Sequence, residues 1–282
     1  MLYTRIAPTP SGFIHTGNIF SFYLTSKIAQ KFGGKLLLRI DDLDTDRSRL
    51  EFIADIFDSL EFFGIEYQDG PIHPKEFYSS YSQKHRENLY EELLLQLIEK
   101  ELIYACTCSR KHYSYAPKTK CRCECLDNKL PLDTPGACWR IFVPDNTFIH
   151  FHDDFAGDIE IDLSKQMGDF VVRRKEGMAA YQVSSLADDL FFGVNYIVRG
   201  RDLLHSTAAQ LYLANVSGSQ QFLNTRFLHH PLIEDSDGKK LSKSAGSTAI
   251  KSMRQEGIPA GYIISGFNES VAQIIQRATF QI

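Results

Sequence analysis

The sequence has no apolar segment that approaches the roughly 20 residues of a bilayer-spanning helix, so we expect no membrane helix. The first residues also lack the basic stretch and apolar run of a secretory signal, and we therefore expect a cytoplasmic protein. Neither internal repeats nor low-complexity segments occur, and 282 residues suit one large globular domain or two modest ones.

An excess of positive charge is also missing, because 31 basic and 35 acidic residues give a net charge of −4. A nucleic-acid partner would therefore have to contact a local basic patch rather than the protein as a whole. Neither a Walker A motif nor a GxGxxG pattern occurs, which excludes the usual P-loop and dinucleotide-binding proteins.

The elements that are present alternate in the manner of an α/β protein with a parallel sheet. A strand at 2–6, a helix from Gly17 to Gly33 and an apolar strand at 35–40 predict a βαβ unit. The pattern further predicts helices at 50–64, 81–102 and 202–216, strands at 157–163, 194–198 and 226–233, and a hairpin of strands 170–174 and 179–184.

The segment RIAPTPSGFIHTGN, between the first strand and the first helix, contains two prolines and two glycines, more than a turn requires. A helix N-terminus attracts anions, since it offers unpaired N–H groups and the positive end of a dipole. Gly12 and Gly17 would admit a bulky ligand, and His15 and Asn18 can donate to phosphate oxygens. The alternative is a rigid connector with an incidental histidine.

A second polar segment, DGKKLSKS at 237–244, contains three lysines and two serines. It is either a solvated charged turn or a cationic clamp for a triphosphate. Taken together and in this order, the two segments resemble the HIGH and KMSKS signatures of class I aminoacyl-tRNA synthetases. The corresponding residues are His15-Thr16-Gly17-Asn18 and Lys240-Leu241-Ser242-Lys243-Ser244.

The resemblance is closest to glutamyl-tRNA synthetases, which the segments LLLRIDDLDTDR, AAYQVSSLADD and YIVRGRDLL also resemble. It implies activation of L-glutamate by ATP, with Mg²⁺ bridging the phosphates, and transfer of the glutamyl group to tRNA. His15 and Lys243 are the implied catalytic residues, because they would neutralise the developing negative charge. The implied ATP-binding residues are His15, Gly17, Asn18, Lys240, Ser242 and Lys243.

The family's glutamate pocket falls on Arg5, Ala7, Thr9, Asp41, Tyr181 and Arg199. Two guanidinium groups suit a substrate with two carboxylates. Asp41 is expected to pair with the α-ammonium group, and Tyr181 adds a hydroxyl. Asp41, Thr9 and Asn18 stand where the family commonly has glutamate, serine and histidine. The alternative for each arginine is a surface ion pair.

The resemblance also implies a Rossmann-like catalytic core with an insertion. The expected divisions are the first half of the core at 1–104, a zinc-containing subdomain at 105–165, the second half at 166–247 and a short helical segment at 248–282.

Five cysteines lie between Cys106 and Cys125, a density that favours a tetrahedral zinc site over free thiols. The resemblance implies a structural site with the ligands Cys106, Cys108, Cys121 and Cys125. Cys123 competes for the fourth position, whereas Cys138, beside Trp139, is expected in the core.

The residues after Lys243 are too few for the anticodon-binding half of a glutamyl-tRNA synthetase. We therefore expect a monomer like the shorter family members, which attach glutamate to queuosine in the anticodon of tRNA(Asp). The alternatives are a minimal synthetase that charges the tRNA 3′ end, a HIGH-type nucleotidyltransferase without tRNA, and a zinc-knuckle RNA-binding protein. RNA phosphates are expected at Lys111, Lys118, Lys120, Arg122, Arg173 and Arg174.

Overall fold

The computed structural model describes residues 1–108, 125–232 and 249–278. The strands in these ranges are β1 (Tyr3–Ile6), β2 (Lys35–Leu38), β3 (Ile103–Cys106), β4 (Cys138–Ile141), β5 (Phe148–Asp153), β6 (Gly157–Asp162), β7 (Phe170–Arg173), β8 (Tyr196–Gly200) and β9 (Arg226–His230). The α-helices are α1 (Thr16–Lys31), α2 (Leu50–Phe62), α3 (Pro74–Glu76), α4 (Glu87–Glu99), α5 (Leu163–Gln166), α6 (Tyr181–Phe191), α7 (Leu204–Ser217), α8 (Gln220–Leu223), α9 (Ile250–Gln255), α10 (Ala260–Ser265) and α11 (Asn268–Arg277).

The predicted βαβ unit is confirmed, since β1 and β2 pair in parallel on either side of α1 in the chain. The backbone N–H of Tyr3 donates to Asn195 Oδ1 at 2.8 Å, and this contact links β1 to the start of β8. β8 and β9 are also parallel, and β5 joins β9 in parallel at Asp153 and Phe227. The predicted α/β class with a parallel sheet is therefore confirmed.

Helices cover both faces of the β1–β2 pair. Leu36 and Leu38 pack in one apolar cluster with α1, α2 and α11, whereas Leu37 packs in a second cluster with α4, α6 and α7. Alternate residues of a strand point to opposite faces, so both faces of β2 are buried, as is usual in a parallel sheet.

The predicted hairpin of 170–174 and 179–184 is wrong in its second half. β7 forms as expected, but only Ala179 makes a bridge to Arg173 before α6 begins at Tyr181. Val183 and Leu186 are fully buried at helical spacing in the second apolar cluster. The helix is favoured because it buries one continuous apolar face.

The predicted helix 81–102 is shorter than expected, because α4 begins only at Glu87. The backbone of Ser82 is not helical, with ψ at 141°, and Asp42 accepts hydrogen bonds from the Ser82 hydroxyl at 2.6 Å and from the Gln83 N–H at 2.8 Å. Gln83–Arg86 then form a 3₁₀ turn. A tertiary contact with one carboxylate therefore interrupts a locally helical sequence.

A three-stranded antiparallel sheet, in the order β3-β4-β7, lies beside the cysteine-rich segment. β5 belongs to the predicted insertion at 105–165, yet it pairs with β9 of the core, so the predicted divisions remain predictions. In the part of the chain that the structure describes, no helix combines the length and apolar character needed to cross a membrane.

Candidate active site

The glycine- and proline-rich segment connects the end of β1 to the start of α1 and is held against the end of β2. The Asp41 N–H donates to the Pro8 carbonyl at 2.9 Å, and the Arg39 N–H donates to the Ile6 carbonyl at 3.0 Å. At the helix start, Asn18 Oδ1 accepts from the backbone N–H of His15 at 3.2 Å. His15 therefore stands at the mouth of α1, where helix N–H groups are available to an anion.

A cavity of about 370 Å³ opens between this helix N-terminus and the end of β8. It brings together eight of the residues predicted for glutamate and ATP. These are Arg5, Ala7, Thr9, His15, Gly17, Asn18, Tyr181 and Arg199. The residues were separated by up to 194 positions in the sequence, so their common cavity is a tertiary arrangement.

Arg199, near the end of β8, is the most distinctive group in this cavity. Its side chain is buried, and Nη2 donates to Thr207 Oγ1 at 2.6 Å and to Gln210 Oε1 at 2.9 Å. Nε and Nη1 are buried and have no hydrogen-bond partner among the described residues. Burial lowers the pKa of Arg199, whereas Tyr181 acts in the opposite direction. Buried donors of this kind favour an anionic ligand.

Arg5, the second predicted arginine, is already held by a carboxylate. Its Nε donates to Asp189 Oδ1 at 2.9 Å, and Nη1 of Arg39 donates to the same oxygen at 2.7 Å. Burial opposes ionisation of Asp189, but the two guanidinium groups outweigh it and lower the pKa of the carboxyl. Asp189 therefore fixes Arg5 in the wall of the cavity.

Asp41 is the predicted glutamate ligand that does not line the cavity. Its carboxylate makes two hydrogen bonds with Arg39, at 2.7 Å to Nε and 3.1 Å to Nη2. Burial raises the pKa of Asp41, although Arg39 opposes this shift. A direct contact between Asp41 and a substrate ammonium group remains a prediction, and Arg39 would have to share the carboxylate with it.

A chain of buried hydrogen bonds through Thr207, His229 and Asp153 orients the Arg199 side chain. Thr207 Oγ1, which accepts from Arg199, lies 2.7 Å from Nε2 of His229. Nδ1 of His229 lies 2.7 Å from Asp153 Oδ2. Burial lowers the pKa of His229, which favours the neutral ring as the link between Asp153 and Thr207. The guanidinium group is therefore held in one orientation by α7 and β9.

Sequence reasoning missed several residues that line the same cavity, namely Gly200, Asp202, His230 and Leu232. His230 is buried, its Nδ1 lies 2.8 Å from the Pro231 carbonyl, and its Nε2 has no hydrogen-bond partner among the described residues. The place of these residues in the sequence could have identified them, because they lie at the carboxyl ends of β8 and β9. Ligands of parallel α/β proteins bind at these ends of the strands.

A family model described as the catalytic domain of class I tRNA synthetases (E and Q) matches residues 1–276. The chain belongs to this family. A glutamyl-Q tRNA(Asp) synthetase of Pseudomonas fluorescens is 38% identical over 249 residues, which cover 87% of this chain and 77% of that protein. A glutamyl-Q tRNA(Asp) synthetase of Nitratidesulfovibrio vulgaris is 33% identical over 289 residues, which cover 98% and 87%.

Solved structures of this synthetase fold are also similar. A glutamate-tRNA synthetase from Elizabethkingia anophelis superposes with a TM-score of 0.72 at 24% identity, covering 87% of this chain and 53% of that chain. A glutamate tRNA ligase from Elizabethkingia meningosepticum, solved in complex with its amino acid, gives a TM-score of 0.71 at 25% identity, covering 87% and 52%. The matched region therefore spans about half the length of either solved chain.

The second synthetase signature, which contains the predicted ATP ligands Lys240, Ser242 and Lys243, lies outside the described residues. The same holds for Cys121, Cys123 and four of the six predicted RNA-contacting residues. The other two are described: the Arg173 guanidinium lies 4.4 Å from the centre of the Trp139 ring, and Arg174 Nη2 lies 3.4 Å from Asp44 Oδ2.

A cluster of three cysteines lies at the end of β3, away from the cavity. The Sγ atoms of Cys106, Cys108 and Cys125 all lie within 4.8 Å of one another, and those of Cys108 and Cys125 are 3.7 Å apart. Zinc with Zn–S distances of about 2.3 Å separates tetrahedral thiolates by about 3.8 Å, so the three thiols fit this metal. Cys138 is buried, as expected, and its Sγ donates to the Cys106 carbonyl.

Proposed function

We propose that this chain activates L-glutamate with ATP and transfers the glutamyl group to queuosine in the anticodon of tRNA(Asp). The observation that carries the first step is the incompletely paired, buried guanidinium of Arg199 beside Arg5 in a cavity at a helix N-terminus. The acceptor is supported by the names of the similar glutamyl-Q tRNA(Asp) synthetases.

The chemistry assigned to the cavity has two steps. A glutamate carboxylate oxygen attacks the α-phosphorus of ATP, pyrophosphate leaves, and glutamyl-adenylate forms. A hydroxyl of the acceptor then attacks the acyl carbon and releases AMP. Arg199 and Arg5 would hold the substrate carboxylates, while His15 and the N–H groups at the start of α1 would stabilise phosphate charge. Lys243 and Lys240 would add cationic donors, and Mg²⁺ bound together with ATP would neutralise further phosphate charge.

We expect glutamate to support ATP–pyrophosphate exchange without tRNA, because residues predicted for both glutamate and ATP line one cavity of this chain. The measurement is incorporation of labelled pyrophosphate into ATP, with aspartate and glutamine as control amino acids. Exchange that starts only when tRNA is added would contradict this expectation.

The acceptor is tested with labelled glutamate and two preparations of tRNA(Asp), one from cells that make queuosine and one from cells that lack it. We expect labelling of the queuosine-containing tRNA only, and the label should persist when its 3′-terminal adenosine has been removed beforehand. Equal labelling of both preparations, abolished by loss of that adenosine, would instead support a minimal synthetase that charges the 3′ end.

We further infer that Cys106, Cys108 and Cys125 hold a structural zinc ion together with Cys121, for which Cys123 is the competing fourth ligand. Protein purified without chelators should contain about one zinc per chain. Cys125→Ser should lose the metal, whereas Cys123→Ser should retain it, and metal analysis would measure both. Retention in Cys121→Ser with loss in Cys123→Ser would reassign the fourth ligand, and metal-free wild-type protein would contradict the site.

A further inference from the structure

Helix α9, which follows the second signature in the sequence, contacts the segment around His15 of the first signature. The Ile250 N–H donates to the Ile14 carbonyl at 2.8 Å, and Ala249 forms a bridge with His15. Nζ of Lys251 lies 4.3 Å from the centre of the Phe13 ring. Two segments that are more than 230 positions apart in the sequence are therefore in direct contact at this point.

The carboxylate of Asp55, on α2, joins both sides of this contact. Its Oδ2 accepts from the backbone N–H of Ile14 at 2.8 Å, and its Oδ1 accepts from Nη2 of Arg254 at 2.5 Å. Asp55 is 2% exposed, so neither contact is strongly screened by solvent. Asp58, one turn further along α2, also lies near Arg254, but at 3.5 Å and with its side chain 61% exposed.

The position of these contacts connects them with the reaction. Ile14 directly precedes His15, the implied catalytic residue at the mouth of the cavity. Arg254 lies on α9, which begins at Ile250, seven residues after Lys243 in the sequence. A shift of about 1 Å between groups that act on one substrate can reduce a rate by about 100-fold.

We propose that Asp55 and Arg254 are positioning residues for the nucleotide step. They hold the start of α9 against the segment that carries His15, so that His15 keeps its position toward the triphosphate. The inference rests on the proposed function, and it adds that a contact outside the cavity determines how well ATP is used.

The test compares Asp55→Asn, Arg254→Met and the control Asp58→Asn in glutamate-dependent ATP–pyrophosphate exchange. Asparagine keeps an acceptor for the Ile14 N–H but removes the charge that pairs with Arg254. We expect Asp55→Asn and Arg254→Met each to lower kcat/KM for ATP about 10-fold or more, with KM for glutamate changed less than about twofold. The double variant should have a kcat/KM for ATP no lower than that of the less active single variant, because both changes remove the same contact. Arg254→Lys should have a higher kcat/KM than Arg254→Met.

Asp58→Asn should leave the kinetic constants within about twofold, because its contact is long and exposed. Lower thermal midpoints with unchanged kinetic constants in the folded fraction would show a purely structural role and overturn the proposal. Absence of glutamate-dependent exchange in the wild-type chain would count against the proposed function instead. Calorimetric binding of ATP to the same variants would then decide the positioning role separately.

Discussion

Replacing Arg199 with alanine is expected to raise KM for glutamate by about 100-fold or more, while KM for ATP changes little. Truncating one partner of a buried, hydrogen-bonded charge pair costs roughly 2–5 kcal/mol, much of it from the charge that remains unpaired. Nε and Nη1 of Arg199 are the buried donors that a substrate carboxylate would use. Steady-state pyrophosphate exchange at varied glutamate and ATP concentrations measures both constants.

Two further variants make this result specific. Arg199→Lys keeps a positive charge but loses the planar fork of donors, so we expect a smaller yet clear rise in KM for glutamate. Arg201→Ala removes an exposed arginine two residues away and should leave both constants unchanged. A normal KM for glutamate in Arg199→Ala would contradict the assignment of this side chain to the substrate.

Replacing Asp188 with alanine is expected to lower the free energy of unfolding by about 3–5 kcal/mol, the usual cost of removing one partner of a buried ion pair. Asp188 is fully buried and accepts from Arg86 Nε at 2.7 Å, from the Tyr90 hydroxyl at 2.8 Å and from Gln83 Nε2 at 2.9 Å. Without the carboxylate, the buried guanidinium of Arg86 loses its counter-charge. Urea unfolding followed by circular dichroism measures the change.

The control for Asp188 is Asp158, whose side chain is 95% exposed and pairs with His152 on the surface. Asp158→Ala should cost less than about 1 kcal/mol, because solvent screens such pairs. If Asp188→Ala lowers the free energy of unfolding no more than Asp158→Ala does, the buried hydrogen bonds of Asp188 contribute little to stability. The network matters for the site as well, since the neighbouring Asp189 holds Arg5 in the cavity wall.

Local sequence patterns were sufficient for the parallel α/β core. Apolar residues at helical spacing in α1 and a short apolar run in β2 predicted the βαβ unit, because burial of one face of a helix and both faces of a strand leaves a characteristic pattern. Motif resemblance also predicted eight residues that the structure brings into one cavity. Their roles toward glutamate and ATP remain predictions.

Other features depended on contacts between distant residues, which no local pattern records. Hydrogen bonds to Asp42 keep Ser82 and Gln83 out of the helix that their sequence favours. Burial in the second apolar cluster makes the residues from Tyr181 onward helical, although their sequence pattern predicted a strand. Asp41 looked available to a substrate, yet Arg39 occupies its carboxylate.

By itself, then, the sequence determined the order of the elements, the family and the set of polar residues available to a ligand, since these depend on spacing along the chain. Only the tertiary structure decided which charges are already paired and which are left for a ligand. Nε of Arg5 is paired with Asp189, a carboxylate that Arg5 shares with Arg39, whereas Arg199 keeps buried donors without partners among the described residues. Pairing of buried charges depends on distances of about 3 Å between elements that fold together, and spacing along the chain does not contain those distances.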